Sequence, residues 1–138
     1  MRQARGEQTV ETRGAGFHDI TPVVRRFVDE RGIGNGLLTV FLHHTSASLL
    51  IQENADPDVQ HDLLSFFRRL VPEEADWRHG AEGPDDMPAH VKTALTQTHL
   101  QIPVADGRLD LGTWQGVYLI EHRKRPHRRR ITLHLIGD

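Results

Sequence analysis

Metal or proton chemistry in this chain must run through imidazole and carboxylate, because its 138 residues include ten histidines and no cysteine. His44 lies in His43-His44-Thr45-Ser46-Ala47-Ser48, directly after the apolar run from Leu37 to Leu42. Side chains alternate along a strand, so His44, Ser46 and Ser48 share a face and continue the inward-looking Leu38, Val40 and Leu42. A histidine with hydroxyls alongside can bind a metal or an anion; the competing reading is a strand histidine satisfied by hydrogen bonds. Neither Gly-x-Ser-x-Gly nor Ser-x-x-Lys occurs, which speaks against a serine nucleophile. Further on, His79, Glu82, Asp85, Asp86 and His90 place an acidic run between a loop histidine and one in the first turn of a helix. The His79-x10-His90 spacing matches no compact metal signature, and a solvated acidic loop accounts for the same residues. With His44 added, the three histidines form a candidate metal site with a position left open for a ligand.

Two more segments carry polar groups at element boundaries. In Gln52-Glu53-Asn54-Ala55-Asp56-Pro57-Asp58, Asp56 is explained as a helix N-cap and Asp58 by the helix dipole. Glu53 and Asn54 lack such an explanation and are candidates for an acid/base and an amide hydrogen-bonder. Gly107 to Gly116 brackets Thr113-Trp114-Gln115 between glycines, so backbone amides and the Thr113 hydroxyl can meet a phosphate while Trp114 stacks. A glycine-bulged strand with a core tryptophan explains it equally well. Glu121 to Arg130 holds six Arg and Lys, including Arg128 and Arg130: a solvated hairpin tip or an anion-receiving surface.

These groups need a scaffold, and the apolar pattern outlines one. Strands are predicted at Gln8 to Arg13, Leu37 to Leu42, Leu49 to Ile51, Leu100 to Ala105, Leu109 to Leu111, Gln115 to His122 and Arg129 to Ile136. The first helix is predicted to start on a Thr21 cap and stop at Gly32, with Val24, Phe27 and Val28 inward. The second runs from Asp56-Pro57 to Pro72, with Val59, Leu63, Phe66, Phe67 and Leu70 as its stripe. The third opens at Pro88 and runs to about Thr98, with Val91 and Leu95 inward. The expectation is an α+β fold of antiparallel sheets with about three helices, in one domain spanning residues 1–138. A net charge of -2 does not suggest a nucleic-acid binder. Apolar runs are far too short to span a bilayer, and the first residues lack the apolar core of a secretory signal. A cytoplasmic location is therefore expected.

Four stretches taken together resemble the YjbQ-like family of small bacterial and archaeal proteins. They are His44-Thr45-Ser46-Ala47-Ser48, Gln52 through Val59, Asp85-Asp86-Met87-Pro88-Ala89-His90-Val91-Lys92, and Leu111-Gly112-Thr113-Trp114-Gln115-Gly116, and the resemblance runs from about Gly16 to the C-terminus. It implies an antiparallel α+β fold, a homotrimer with sites near subunit boundaries, and metal ligation by His44, His79 and His90. It also implies secondary thiamine-phosphate synthase activity, a side reaction joining a pyrimidine-methyl diphosphate to a thiazole phosphate with release of pyrophosphate. His122, where many relatives carry an aromatic residue, and the basic 123–128 turn depart from the pattern. For that transfer, Glu53, Asn54 and Gln115 would read a heterocycle and Trp114 would stack on it. Thr113, with Arg128 or Arg130, would meet phosphate, Ser46 would also bind substrate, and His44 and Glu53 would be the catalytic residues. No Asp-rich diphosphate–magnesium motif is present, so zinc suits the histidines better, with magnesium only if the transferase reading holds. The alternatives are a zinc-dependent hydrolase or lyase on a small anionic metabolite, with Glu53 as acid/base, and a non-catalytic metal- or ligand-binding trimer.

Overall fold

The computed structural model describes all 138 residues. The chain runs β1 (Arg2–Glu11), β2 (Gly16–Asp19), α1 (Thr21–Asp29), β3 (Gly36–Leu42), β4 (Ala47–Glu53), α2 (Pro57–Leu70), α3 (Asp86–Leu95), β5 (His99–Ala105), β6 (Arg108–Leu109), β7 (Gln115–Glu121) and β8 (Arg128–Gly137). All strand pairing is antiparallel, so the α+β expectation holds. One sheet has five strands in the order β1-β8-β3-β5-β6, and the other has three in the order β2-β7-β4. No helix is long and apolar enough to cross a membrane.

Period-two alternation builds the core. Leu38, Val40 and Leu42 on β3 share one face of the larger sheet with Ile131, Leu133 and Leu135 on β8 and Leu100, Ile102 and Val104 on β5. They meet Ala47, Leu49, Val117 and Leu119 of the smaller sheet and Val24, Phe27 and Val28 of α1 in a single cluster of 18 buried residues. The opposite face of β3 is wet, with Phe41 43% exposed.

Several boundaries differ from expectation for identifiable reasons. The stretch read as a break, Gly14 to His18, contains β2, which lies on the β7 edge; Gly14 and Gly16 take positive φ to turn the chain into it. A Cβ at Gly14 would also lie 2.7 Å from the Lys124 carbonyl oxygen. Thr21 does not cap α1. Its hydroxyl instead accepts from the Val117 N–H at 2.8 Å, tying the helix start to β7. Asp56 does cap α2, accepting from the Asp58 N–H at 2.9 Å. The α2 stripe is not covered within the chain: none of its residues is buried, and Phe66 and Leu70 are 49% and 53% exposed. In α3 the buried positions are Asp86, Pro88, Ala89 and Thr93, whereas Leu95 faces solvent.

The smaller sheet carries candidate groups near both of its ends. Ala47 pairs with Glu121 at one end and Glu53 with Gln115 at the other. Six residue steps at about 3.3 Å each separate them by about 20 Å.

Candidate metal centre

The first of those ends supports a cluster on α3. Asp86 and His90 are four residues apart in one helix, so their side chains project from the same stripe. The 79–86 loop brings His79 back over them. His79 Nε2 lies 2.6 Å and His90 Nε2 3.3 Å from Asp86 Oδ2. All three ligand atoms fall within 4.8 Å of one another. Asp86 is buried, while the two imidazoles reach the surface, so one side of the cluster is open.

Surrounding groups fix the orientation of each member. His90 Nδ1 is 2.8 Å from the Thr45 carbonyl oxygen. A carbonyl only accepts, so Nδ1 carries the hydrogen, and in the neutral ring Nε2 presents a bare lone pair to the cluster. That lone pair faces a carboxylate oxygen, and two acceptors in contact require a proton or a cation between them. Arg123 holds the carboxylate from behind: its Nη1 is 2.9 Å from Asp86 Oδ1, its Nε donates to Asp85 at 3.0 Å, and its Nη2 donates to the Glu82 carbonyl at 2.8 Å. Burial alone would push the Asp86 carboxyl up, but the His79 hydrogen bond and the Arg123 charge outweigh it and hold it below its usual value. Two imidazoles and one carboxylate, with room left beside them, fit a divalent transition metal of the zinc class.

His44 is not part of this cluster. The chain leaves β3 at Leu42 and bends through His43 to Ser46 before β4 starts, so strand alternation does not carry across the bend. The His44 ring turns to β8 instead, where Nε2 accepts from the Arg130 N–H at 2.8 Å and Nδ1 lies 3.4 Å from Arg129 Nη1. Burial, and next the Arg129 charge, push its pKa below the usual imidazole value. The residue whose oxygen joins the His79 and His90 nitrogens in the cluster is Asp86. Its spacing from His90 was hidden by reading Pro88 as the first helical residue; the helix begins at Asp86, and proline is tolerated within a first turn. Arg123 belongs to the stretch that reads as a solvated tip or an anion-receiving surface, and nothing in its local sequence marks it as the partner of Asp85 and Asp86.

Ser46 is also committed. Its buried hydroxyl accepts from Arg129 Nη2 at 3.0 Å, within a network in which Arg129 Nε and Thr12 Oγ1 donate to Glu121 at 2.9 and 2.7 Å. The remaining predicted groups gather at the far end of the smaller sheet. Glu53 Oε2 accepts from the Ala55 and Asp56 N–H groups at 3.0 and 2.8 Å, which shapes the turn into α2. Asn54 Nδ2 donates to the Thr113 and Gln115 carbonyls at 3.2 and 3.4 Å, and Gln115 Oε1 accepts from the Gly112 N–H at 2.7 Å. Thr113 is exposed, and Trp114 is 63% exposed rather than core. Glu53, Asn54, Thr113, Trp114 and Gln115 thus do come together, but about 20 Å from the histidines along the same sheet.

Arg128 and Arg130 point outward from β8 to Glu11 at 3.6 Å and Glu7 at 3.2 Å. Lys124 pairs with Glu73 at 2.6 Å and Arg129 is buried on Glu121. Of the six cations between Glu121 and Arg130, Arg125 alone has no acidic partner within the chain.

Comparison with known proteins agrees with this architecture. The model of the "UPF0047 protein YjbQ-like" family matches residues 6–138. UPF0047 protein sll1880 of Synechocystis is 51% identical, covering 100% of this chain and 95% of that protein. UPF0047 protein YjbQ of Escherichia coli O157:H7 is 44% identical over 94% of this chain and 95% of its own length. Among solved structures, an uncharacterised YjbQ/UPF0047 protein from Clostridium acetobutylicum is 39% identical, covers 94% of this chain and 98% of that one, and superposes with a TM-score of 0.87. Matches of this extent at such identity cover the metal cluster, both ends of the smaller sheet and the basic hairpin alike. The chain belongs to the UPF0047 YjbQ-like family.

Proposed function

We propose that this protein is a metal-dependent enzyme acting on a small anionic metabolite, with a zinc-class divalent ion held by His79, Asp86 and His90. The observation that carries the reading is the convergence of these three ligand atoms within 4.8 Å, with His90 Nδ1 already committed to the Thr45 carbonyl. When bound, such an ion supplies concentrated positive charge to a phosphate, carboxylate or carbonyl of the substrate. The chain contributes the rest. Asp86 gives a buried carboxylate that stays ionised, Arg123 fixes its angle, and Thr45 fixes the ring of His90.

Thiamine-phosphate formation, the activity that the resemblance implies, is the specific reaction we put first. Its two substrates are phosphorylated, which suits a cation-bearing centre open to solvent. The Trp114 tip offers a stacking ring with ordered backbone amides, but it lies too far from the centre of its own chain for one small molecule to touch both. A homotrimer, also implied by the resemblance, allows the tip of one copy to reach the centre of another. The uncovered Phe66 and Leu70 support such an assembly.

The test pairs metal analysis with a coupled assay for thiamine phosphate on the purified protein. We expect His79→Ala, Asp86→Ala and His90→Ala to abolish both metal uptake and product, and His44→Ala to retain the metal. Product formation unaffected by all three substitutions would remove the centre from the reaction. Metal uptake with no product would move the function to hydrolysis, elimination or simple binding at the same centre. Light scattering of the same preparation reads the assembly, and a monomeric mass would exclude a site shared between copies.

A further inference from the structure

A cavity of 460 Å³ lies on the other side of α3 from His90, between α2, the turn after it and the end of β7. That volume is in the range of small-ligand pockets. Two stripes of α3 divide the work: Asp86 and His90 serve the metal cluster, whereas Asp85, Pro88 and Lys92 face the cavity. His90 and Lys92 are two residues apart, hence about 160° apart around the helix, so one helix serves two separate places.

Its lining has an apolar part and a charged part. Leu64, Phe67, Val71 and Pro88 supply the apolar surface. Most of the charges are already spent within the chain: Glu73 on Lys124, Asp85 on Arg123 and Glu121 on Arg129. Lys92 is different. It is half-buried in the wall, and its ammonium has neither an ion-pair nor a hydrogen-bond partner within the chain. Arg68 lies at the same cavity and adds a second cation, which hydrogen-bonds to nothing; Glu74 is the one acid there without a partner. With Glu73, Asp85 and Glu121 neutralised by their partners, two of which lie just outside the lining, Lys92 and Arg68 against Glu74 are the charges left to meet a ligand.

His122 supplies an independent sign of a ligand. The residue is 6% exposed and its Nε2 is 2.8 Å from Ser48 Oγ, but its Nδ1 has no partner in the protein although the ring lines the cavity. Burial, and next the Lys92 charge, push its pKa to about 4, so the ring is neutral near pH 7. A neutral imidazole with one nitrogen fixed leaves the other to hydrogen-bond with whatever occupies the cavity. A half-buried cation, an open imidazole nitrogen and an apolar floor are complementary to one kind of molecule.

We propose that this cavity is a second binding site, separate from the metal centre, for a small organic carboxylate with an apolar body. The carboxylate sits against Lys92, a polar atom meets His122 Nδ1, and the body lies on Leu64, Phe67 and Val71. The site goes beyond the metal-dependent reading and does not depend on it.

The test is calorimetric titration of the whole protein with benzoate and 3-methylbutanoate, alongside benzyl alcohol and inorganic phosphate. Imidazole resonances of His122 are followed in parallel. Saturable binding of the carboxylates with a shift at His122 is expected, with benzyl alcohol and phosphate each weaker by about tenfold or more, since each lacks one half of the match. Lys92→Met should weaken the carboxylates by a similar factor, and Leu64→Trp should block them by filling the floor. Chelator treatment and His90→Ala should change nothing, which separates this site from the metal centre. Equal binding of benzyl alcohol, carboxylate binding that survives both Lys92→Met and Leu64→Trp, or binding lost with the metal would each overturn the proposal. So would an absence of saturation up to millimolar ligand.

Discussion

Arg129→Met is the substitution whose cost follows most directly from the packing. The Glu121 side chain is fully buried and that of Arg129 is 5% exposed. The Glu121 carboxylate has four donors: Thr12 Oγ1 at 2.7 Å, Arg129 Nε at 2.9 Å, Arg129 Nη2, and the Arg123 N–H at 3.2 Å. Methionine fills much of the volume but removes two of these donors and the only full charge that hydrogen-bonds to the carboxylate. It also releases the Ser46 hydroxyl and carbonyl, which Arg129 Nη2 reaches at 3.0 and 3.3 Å. Leaving one member of a buried pair uncompensated costs about 3–5 kcal/mol, a large share of a typical total of about 5–15 kcal/mol. The dependence on pH gives the sharper check. Burial alone pushes the Glu121 carboxyl up, but the Arg129 and Thr12 hydrogen bonds outweigh it, so the folded value lies below the ordinary one. In the native protein this contributes stability that is present above the ordinary carboxylate value and lost as pH falls through the folded one. In the variant, burial remains without the guanidinium, the folded value rises above the ordinary one, and protonation relieves the penalty. Urea denaturation followed by circular dichroism should therefore show a difference from wild type of about 3–5 kcal/mol near pH 7.5 that shrinks near pH 5. A difference below about 1 kcal/mol, or one equal at both pH values, would mean that the carboxylate is rescued by water or relaxation and that the pair is not a closed unit. Replacing both residues with methionine should cost less than Arg129→Met alone, because no charge is then left behind.

Three further outcomes follow from other parts of the fold. Arg123→Met should weaken zinc binding about 10–100-fold in calorimetry, because Asp86 loses the group that fixes its angle; an unchanged affinity would make Arg123 purely structural. His122→Phe should flatten the acid side of the stability profile: the native ring, at about 4 rather than 6.5, loses up to about 3 kcal/mol of stability as pH falls across that window, and phenylalanine cannot. A profile of the same slope in the variant would place the acid sensitivity elsewhere. Asp56→Ala should cost about 1 kcal/mol in denaturant unfolding through loss of the α2 cap, and a cost of only a few tenths would show that Pro57 alone suffices to start the helix.

What the sequence revealed, and what it hid, divides by the range of the interaction. Local rules located β3 through its apolar run, the Asp56 cap from the Asp-Pro pair, and β8 from alternation. They failed where a partner distant in sequence decides the outcome. The Gly14 to His18 stretch has no strand pattern of its own and is extended because it lies on β7. Thr21 looks like a cap, yet β7 claims its hydroxyl. In the candidate centre, His79 and His90 were legible as a pair flanking an acidic run. A helix start placed two residues late at Pro88 hid the spacing of Asp86 from His90, and a four-residue bend cancels the alternation that pointed His44 inward, so its ring turns to β8. Val59, Leu63 and Phe66 have the spacing of a buried stripe, but the face they form is uncovered within one chain, and spacing alone cannot say what covers it.

The basic hairpin shows why a charge count is a poor guide to a binding surface. Six cations in ten residues suggested an anion receiver, but alternation along β8 sends Arg129 inward to Glu121 and Arg128 and Arg130 outward to β1, while the turn before it sends Arg123 to α3 and Lys124 to Glu73. Five of the six cations, all but Arg125, meet acids that lie from 8 to 123 residues away in sequence. This hairpin is therefore the fastener that holds β1, the helix of the metal cluster and the buried end of the smaller sheet in register. At the cavity, Lys92 and Arg68 carry positive charge with no acidic partner. The two proposals give an anion two candidate destinations: an ion held by His79, Asp86 and His90 on one stripe of α3, or the Lys92 ammonium on another. The two are separable by experiment because a chelator empties the first and a Lys92 substitution discharges the second.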